Sequence, residues 1–283
     1  MIELEDLPQL NEPVMVLAFE GWNDAAEAAT GLVDHLMQVF GATRFGEVDP
    51  EDYYDFQVSR PLISVGEGGV RSLTWPGTAA YTGTLPDGRS LVLVRGIEPS
   101  MRWRSFATEI VGLAFELDVE RVVALGALLA DTPHTRPVPV TATASDPGLA
   151  RTMDVDTTHY EGPTGIVGVL AEAFGRAGID TVSLWASVPH YVAQAPCPKA
   201  SLELLHRVEE ALDVVIPVGD LEEESRAWER SVDELAAEDD EVAEYVKSLE
   251  EARDTAELPE ASGEAIAQAF ERFLERRDRG GDA

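Results

Sequence analysis

A single cysteine, Cys197, stands in a chain of 283 residues, so no intramolecular disulfide can form and a cysteine-built zinc site is excluded. Positive charge is scarce as well: 21 basic residues face 53 acidic ones, for a formal net charge of −32. Nucleic acids and anionic membrane surfaces are held through clustered Lys and Arg, so neither is an expected partner. The deficit is global, because residues 220–283 hold 22 acidic and 8 basic side chains, net −14, and leave −18 for residues 1–219. No apolar run approaches the ~18 residues of a membrane helix. The opening MIELEDLPQLNEP has neither the basic nor the apolar region of a secretory signal, and a cytoplasmic setting is expected. Several catalytic signatures are missing too: Gly-x-Gly-x-x-Gly, Gly-Lys-Ser/Thr, His-Glu-x-x-His and Gly-x-Ser-x-Gly. No catalytic residue, metal ligand or cofactor is therefore assigned.

What is present is an alternation of strand and helix patterns in a chain long enough for one large domain with an appendage. VMVLAF (14–19) is a continuous apolar run of the kind found in a strand covered on both faces. From Asp24 to Phe40, Ala25, Ala28, Ala29, Leu32, Leu36 and Val39 recur at helical spacing, and their small first turns predict close packing on the sheet. Residues 54–65 and 70–75 read as strands around Gly66-Glu67-Gly68-Gly69, 90–95 as another strand, 101–117 as a helix and 121–129 as a strand. An irregular stretch from Asp131 to Pro163 is expected to hold one short strand near 138–144. Helix, strand and helix follow at 164–176, 181–188 and 198–212. This alternation predicts a three-layer α/β/α core over residues 1–219. Beyond it, Leu221, Trp228, Leu235, Val242 and Leu249 recur every seven residues, with Val232 and Val246 beside them. The acidic cluster at 238–240 marks a fresh helix start, and a last helix is expected over 260–278. Residues 220–283 thus read as an acidic helical appendage that packs on the core or on a neighbouring subunit.

Candidate site residues gather at expected strand ends, where open α/β sheets form their ligand crevices. In Glu20-Gly21-Trp22-Asn23-Asp24, either Asn23 or Asp24 can cap the following helix, and Asp24 with Glu27 resembles a capping box. The other reading makes Glu20 a functional carboxylate. Glu98 and Arg102 sit at a similar corner as an internal pair, a cap or ligand contacts. Asp131 and His134, in Asp131-Thr132-Pro133-His134-Thr135-Arg136, either staple a loop through an Asp131–Arg136 pair or bind an anion and shuttle protons. His159 with Glu161 and His190 with Tyr191 lack metal-motif spacing. Cys197, at a helix entrance between two prolines, is either a small structural residue or a thiol of lowered pKa.

Five segments carry a resemblance: MVLAFEGWNDAAEAATGLVDHL (15–36), RGIEPSMRWRSF (95–106), VVALGALLADTPHTRPVPVTATAS (122–145), YEGPTGIVGVL (160–170) and SLWASVPHYVAQAPCPKASLELL (183–205). Together they resemble the proteasome assembly chaperone 2 family, in particular its actinobacterial members. The resemblance implies a three-layer α/β fold similar to the purine nucleoside phosphorylase/hydrolase fold and homo-oligomers, a trimer among them. For archaeal and eukaryotic relatives it implies binding to proteasome subunits during assembly. Some partners of the proteasome dock through a terminal hydrophobic-Tyr-any motif. This chain ends Arg279-Gly280-Gly281-Asp282-Ala283, so docking of that kind is not expected.

The resulting expectation is a non-enzymatic protein-binding module whose partners are its own copies and proteasome subunits. The alternative is a nucleoside phosphorylase-like or hydrolase-like enzyme, or a small-molecule binder, with a pocket built from Glu20, Trp22, Asn23, Asp24, Glu98, Arg102, Asp131 and His134.

Overall fold

The computed structural model describes residues 2–4, 9–158 and 160–257; His159 and the helix expected over 260–278 lie outside them. Eleven strands occur among the described residues: β1 Ile2–Leu4, β2 Val14–Glu20, β3 Thr43–Val48, β4 Leu62–Val65, β5 Arg71–Thr74, β6 Thr78–Thr84, β7 Ser90–Ile97, β8 Arg121–Ala130, β9 Val140–Ala144, β10 Asp156–Thr157 and β11 Asp180–Pro189. Nine of them form one sheet in the order β1-β3-β6-β7-β2-β8-β11-β9-β10, while β4 and β5 form a separate two-stranded ribbon. Strands β7, β2, β8 and β11 run parallel at the centre, and antiparallel strands flank them.

The continuous apolar run of β2 has a simple cause. It lies between β7 and β8 with both faces covered, so alternation has no solvent face to serve. Val16 and Ala18 join the core on one face, beneath α1 Ala28–Val39, α3 Pro147–Met153 and α5 Pro198–Leu212. Met15, Leu17 and Phe19 join the core on the other face, beneath α2 Trp103–Glu116 and α4 Ile166–Arg176. The architecture is the three-layer α/β/α arrangement that the alternation of patterns predicts.

Differences from the sequence reading are local. Helix α1 begins at Ala28 rather than near Asp24, because Ala25–Glu27 form a 3-10 turn in which Ala26 and Glu27 take left-handed backbone angles. Its small first turn serves a helix as well as the sheet: Ser201 of α5 donates to the Ala28 carbonyl (2.8 Å), and a Cβ on Gly31 would sit 3.2 Å from the Ser201 hydroxyl. The strand expected over 54–65 shrinks to β4, since Tyr53 and Tyr54 turn into the core instead. Strands β3 and β6 are additions that local pattern does not announce, since their sequences are short and weakly apolar and neighbouring strands define them. Helix α3 is a further addition, and it does have a local signal: Asp146 caps it through the Gly148 and Leu149 amides and Pro147 opens its first turn.

In the tail, α6 Leu221–Ala237 lies along α5, and α7 Asp240–Glu257 follows after a break where the Asp239 carboxylate accepts from the Glu241 amide (2.9 Å). The seven-residue seam does not hold throughout: Leu221, Val232 and Val246 are buried, but Leu235 is 61% exposed. A straight helix drifts about 20° per heptad. Burial on α6 therefore passes to Ser225, Val232 and Ala236.

Val232→Asp would bury an unpaired charge on α6. We expect a fall of about 3 kcal/mol in unfolding free energy by urea titration, with early proteolytic cleavage within 221–257.

Candidate functional site

At the carboxyl end of β2 the chain turns through Gly21, whose φ of +113° is a glycine conformation, and leaves Trp22 65% exposed. Asn23 and Asp24 are buried immediately afterwards. The Asp24 carboxylate accepts from the Ala29 amide (2.7 Å) and from the amide and hydroxyl of Thr30. It thus caps α1 from four residues upstream. Burial outweighs these bonds and pushes the Asp24 carboxyl above its ordinary range. The expected box with Glu27 does not form, because Glu27 has left-handed angles (φ +53°) and serves as backbone N-cap. Two non-glycine residues in that region cost about 1–2 kcal/mol each, more than one cap returns. A second tether is therefore required, and the Cys197 amide supplies it by donating to the Ala26 carbonyl (3.0 Å).

Asn23 does not cap the helix. Its Nδ2 donates to Glu98 Oε1 (2.7 Å), and its carbonyl accepts from the Ala127 amide of β8 (2.8 Å). Glu98 Oε1 also accepts from the Ile166 amide (2.8 Å), which places a carboxylate on the first turn of α4. Among the described residues Asn23 Oδ1 has no hydrogen-bond donor and rests against Gly165, where a Cβ would lie 2.1 Å away. Glycine is present there because the asparagine passes so close.

The expected Glu98–Arg102 pair is absent. Arg102, itself left-handed (φ +57°), turns outward to Asp52 and lies over the Tyr53 ring, 5.8 Å from its centroid. Glu98 is engaged by Asn23 and α4. Glu20 is held by Arg95 (2.8 Å), whose guanidinium also binds Asp34 (2.6 Å). Burial opposes the Arg95 charge, yet the Asp34 and Glu20 bonds outweigh it and its pKa rises.

Asp131 and His134 belong to a second network beyond β8. His134 is buried, and its Nδ1 lies 2.7 Å from the Tyr191 hydroxyl, which also accepts from the His134 amide (2.8 Å). Burial raises the pKa of that phenol to about 12. Nε2 faces the Asp233 carboxylate of α6 (3.0 Å), which can only accept, so Nε2 carries a proton and donates to it. The expected Asp131–Arg136 staple is replaced: Asp131 meets His190 (3.2 Å) and Tyr245 (3.2 Å), while Arg136 binds Asp254 (2.8 Å) and Glu250 (3.4 Å) of α7. Buried Lys199 donates to the His134 carbonyl and pairs with Glu229 of α6 (3.2 Å). Cys197 is buried, which pushes its thiol up to about 11 rather than down.

The eight candidates thus fall in three places: Glu20, Trp22, Asn23, Asp24 and Glu98 at one corner, Arg102 facing Asp52, and Asp131 with His134 under the tail. None of them lines the groove of about 780 Å³ between α2 and α4, whose walls include Ala107, Val111, Val169 and Ala173. Sequence reasoning missed Tyr191, Lys199, Glu229, Asp233, Glu250 and Asp254. A signal existed in the acids spaced four apart, Glu229/Asp233 and Glu250/Asp254, which repel on an isolated helix unless cations face them.

Two substitutions probe this geometry. Gly165→Ala is expected to cost about 2 kcal/mol by forcing Asn23 aside, and Asn23→Ala in the same chain is expected to recover part of that loss in a double-mutant cycle. Glu229→Ala, which leaves buried Lys199 unpaired, is expected to cost about 2 kcal/mol, whereas Asp254→Ala, on an exposed pair, is expected to leave the urea midpoint unchanged.

The PAC2 family model matches residues 18–236. A PAC2 family protein of Streptomyces avermitilis is 60% identical with a TM-score of 0.78, covering 83% of this chain and 99% of that one. A proteasome-assembly chaperone homologue of Mycobacterium tuberculosis is 50% identical with a TM-score of 0.76, covering 82% and 99%. An archaeal proteasome activator of Pyrococcus furiosus shares the fold at 17% identity, with a TM-score of 0.65 over 83% and 98%. No curated protein sequence matches. With the quoted segments, the three-layer sheet and these matches in agreement, the chain belongs to the PAC2 family.

Proposed function

We infer that this chain is a non-enzymatic, homo-oligomeric protein-binding module of the cytoplasm, acting as an assembly chaperone with proteasome subunits as its clients. One observation carries the non-enzymatic part: the helix ends that would receive an oxyanion are already filled. Asp24 occupies the start of α1 and Glu98 the start of α4. The nearby arginines are engaged in the same way, Arg95 by Glu20 and Asp34, Arg102 by Asp52, and Arg136 by Glu250 and Asp254. A phosphate-using enzyme needs those donors open. The assembly role is supported by family membership and by the 50% identical relative, itself a proteasome-assembly chaperone homologue.

In this reading residues 1–219 are the binding scaffold. Residues 220–283 are an appendage whose α6 and α7 close the Asp131–Arg136 loop through Asp233, Tyr245, Glu250 and Asp254, while Glu229 pairs with Lys199 of α5.

Purified chain mixed with cognate proteasome α and β subunits is expected to give a discrete complex by native mass spectrometry and to hasten formation of assembled particles. Absence of any complex, or consumption of nucleosides in the presence of inorganic phosphate, overturns the reading.

A further inference from the structure

The ribbon formed by β4 and β5 stands apart from both cores. Residues 62–65 and 71–74 are exposed at every position, on both faces. An isolated two-stranded hairpin is at best marginal in water. This one is nevertheless anchored firmly at its root. The Tyr53 carbonyl accepts from the Ser100 amide (2.8 Å), and the Tyr53 hydroxyl donates to Glu109 (2.6 Å). The Tyr54 hydroxyl donates to the Ile97 carbonyl (2.9 Å), and Trp75 lies 4.8 Å from Phe56, centroid to centroid.

Register divides the ribbon into two unlike faces. Leu62 opposes Thr74, Ile63 opposes Leu73, Ser64 opposes Ser72 and Val65 opposes Arg71. Residues directly opposite in an antiparallel pair share a face. One face therefore shows Ile63, Val65, Leu73 and Arg71. The other shows Leu62, Thr74 and the hydrogen-bonded hydroxyls of Ser64 and Ser72 (2.6 Å). Such a division is the pattern of a strand pair with one side packed, yet among the described residues the apolar side is uncovered.

The charge pattern points to what covers it. Between Asp55 and Asp87 the chain carries three charges, Arg60, Glu67 and Arg71, which sum to +1, so the remainder of the molecule holds −32 − 1 = −33. Two copies with that remainder repel each other over most of their surfaces. The ribbon itself, residues 62–74, carries only Glu67 and Arg71 and so has no net charge, which makes it a place where apolar area coincides with relief from that repulsion and where Arg71 can meet the acids of a second copy. Ile63, Val65 and Leu73 on that face are 48–67% exposed, on the order of 300 Å² in all, enough for the apolar centre of an interface.

We propose that the β4–β5 ribbon is the arm through which this chain assembles with itself, its Ile63–Val65–Leu73 face covered by a second copy and Arg71 beside them meeting that copy's carboxylates. This rests on the homo-oligomeric part of the function given above and names the surface responsible.

Neighbouring residues on opposite faces supply the test. Ile63→Asp and Ser64→Asp add the same charge one residue apart on exposed positions, so both are expected to fold, which circular dichroism checks. By sedimentation velocity of the full chain, wild type is expected to be oligomeric. Ile63→Asp is expected to raise the dissociation constant at least ~30-fold, the effect of losing one central anchor, while Ser64→Asp changes it less than ~3-fold. An oligomer that survives Ile63→Asp, or that is weakened equally by both substitutions, overturns the arm while self-association stands. A wild-type monomer at 100-fold the concentration used for client binding overturns both. Neither outcome depends on client capture, which is measured separately.

Discussion

Glu98 Oε1 accepts one hydrogen bond from Asn23 and another from the first amide of α4, and most of the carboxyl edge is arranged around that oxygen. Asn23 follows β2, Glu98 follows β7, and Ile166 opens a helix on the opposite layer. The Asn23 carbonyl adds β8 through the Ala127 amide. Four segments distant in sequence thus converge on one carboxylate and one buried amide. A shared acceptor of this kind rewards only one mutual arrangement of strands and helices, since displacing any member leaves a buried donor unsatisfied at about 1–3 kcal/mol. The close approach that results is what excludes any side chain at position 165.

Charge balance extends the same logic outward. A chain with net charge −32 places its few cations where acids would otherwise repel: Arg95 between Glu20 and Asp34, Lys199 beneath Glu229, and Arg136 between Glu250 and Asp254. These contacts are unequal in weight. Asp254 and Asp233 are more than half exposed, so solvent screens their pairs and they contribute little. Lys199 is buried, and an unpaired ammonium there would be costly. The tail is accordingly held by apolar burial of Leu221, Val232 and Val246 together with the Lys199 contact, and its outer pairs set register more than strength.

The central strands and the helices α1, α2, α4 and α5 are legible in the sequence because each carries a full period of apolar residues and spans enough chain to show it. Strands β3 and β6 are not, because TRFGEV and TAAYTGT have few apolar residues and owe their state to neighbours in the sheet. At the site, local spacing suggests pairs by proximity in the chain, Glu98 with Arg102 and Asp131 with Arg136. In the fold each member turns to a partner 50 to 118 positions away: Arg102 to Asp52, Glu98 to Asn23 and Ile166, Asp131 to Tyr245, and Arg136 to Asp254. Local spacing carries no information about such contacts. The seam of α6 fails at Leu235 for a different reason: a seven-residue repeat stays in line only when the helix supercoils, and α6 follows a single helix, α5.

A strand-end edge closed by its own carboxylates and a ribbon left open to solvent are complementary features. Inside the edge, Asp24 and Glu98 leave little for a small anion to bind, since their carboxylates already occupy the starts of α1 and α4. Outside it, Trp22, Leu128 and Leu129 remain exposed beside those closed corners, and the β4–β5 ribbon springs from the same side of the sheet, where Tyr53 meets the start of α2. Exposed apolar groups on a rigid frame are suited to surfaces rather than to solutes, because a protein partner supplies the extended cover that a metabolite lacks. In the three-layer core the strand-end carboxylates Glu20, Asp24 and Glu98 are engaged within the chain, while the apolar groups at its rim are exposed.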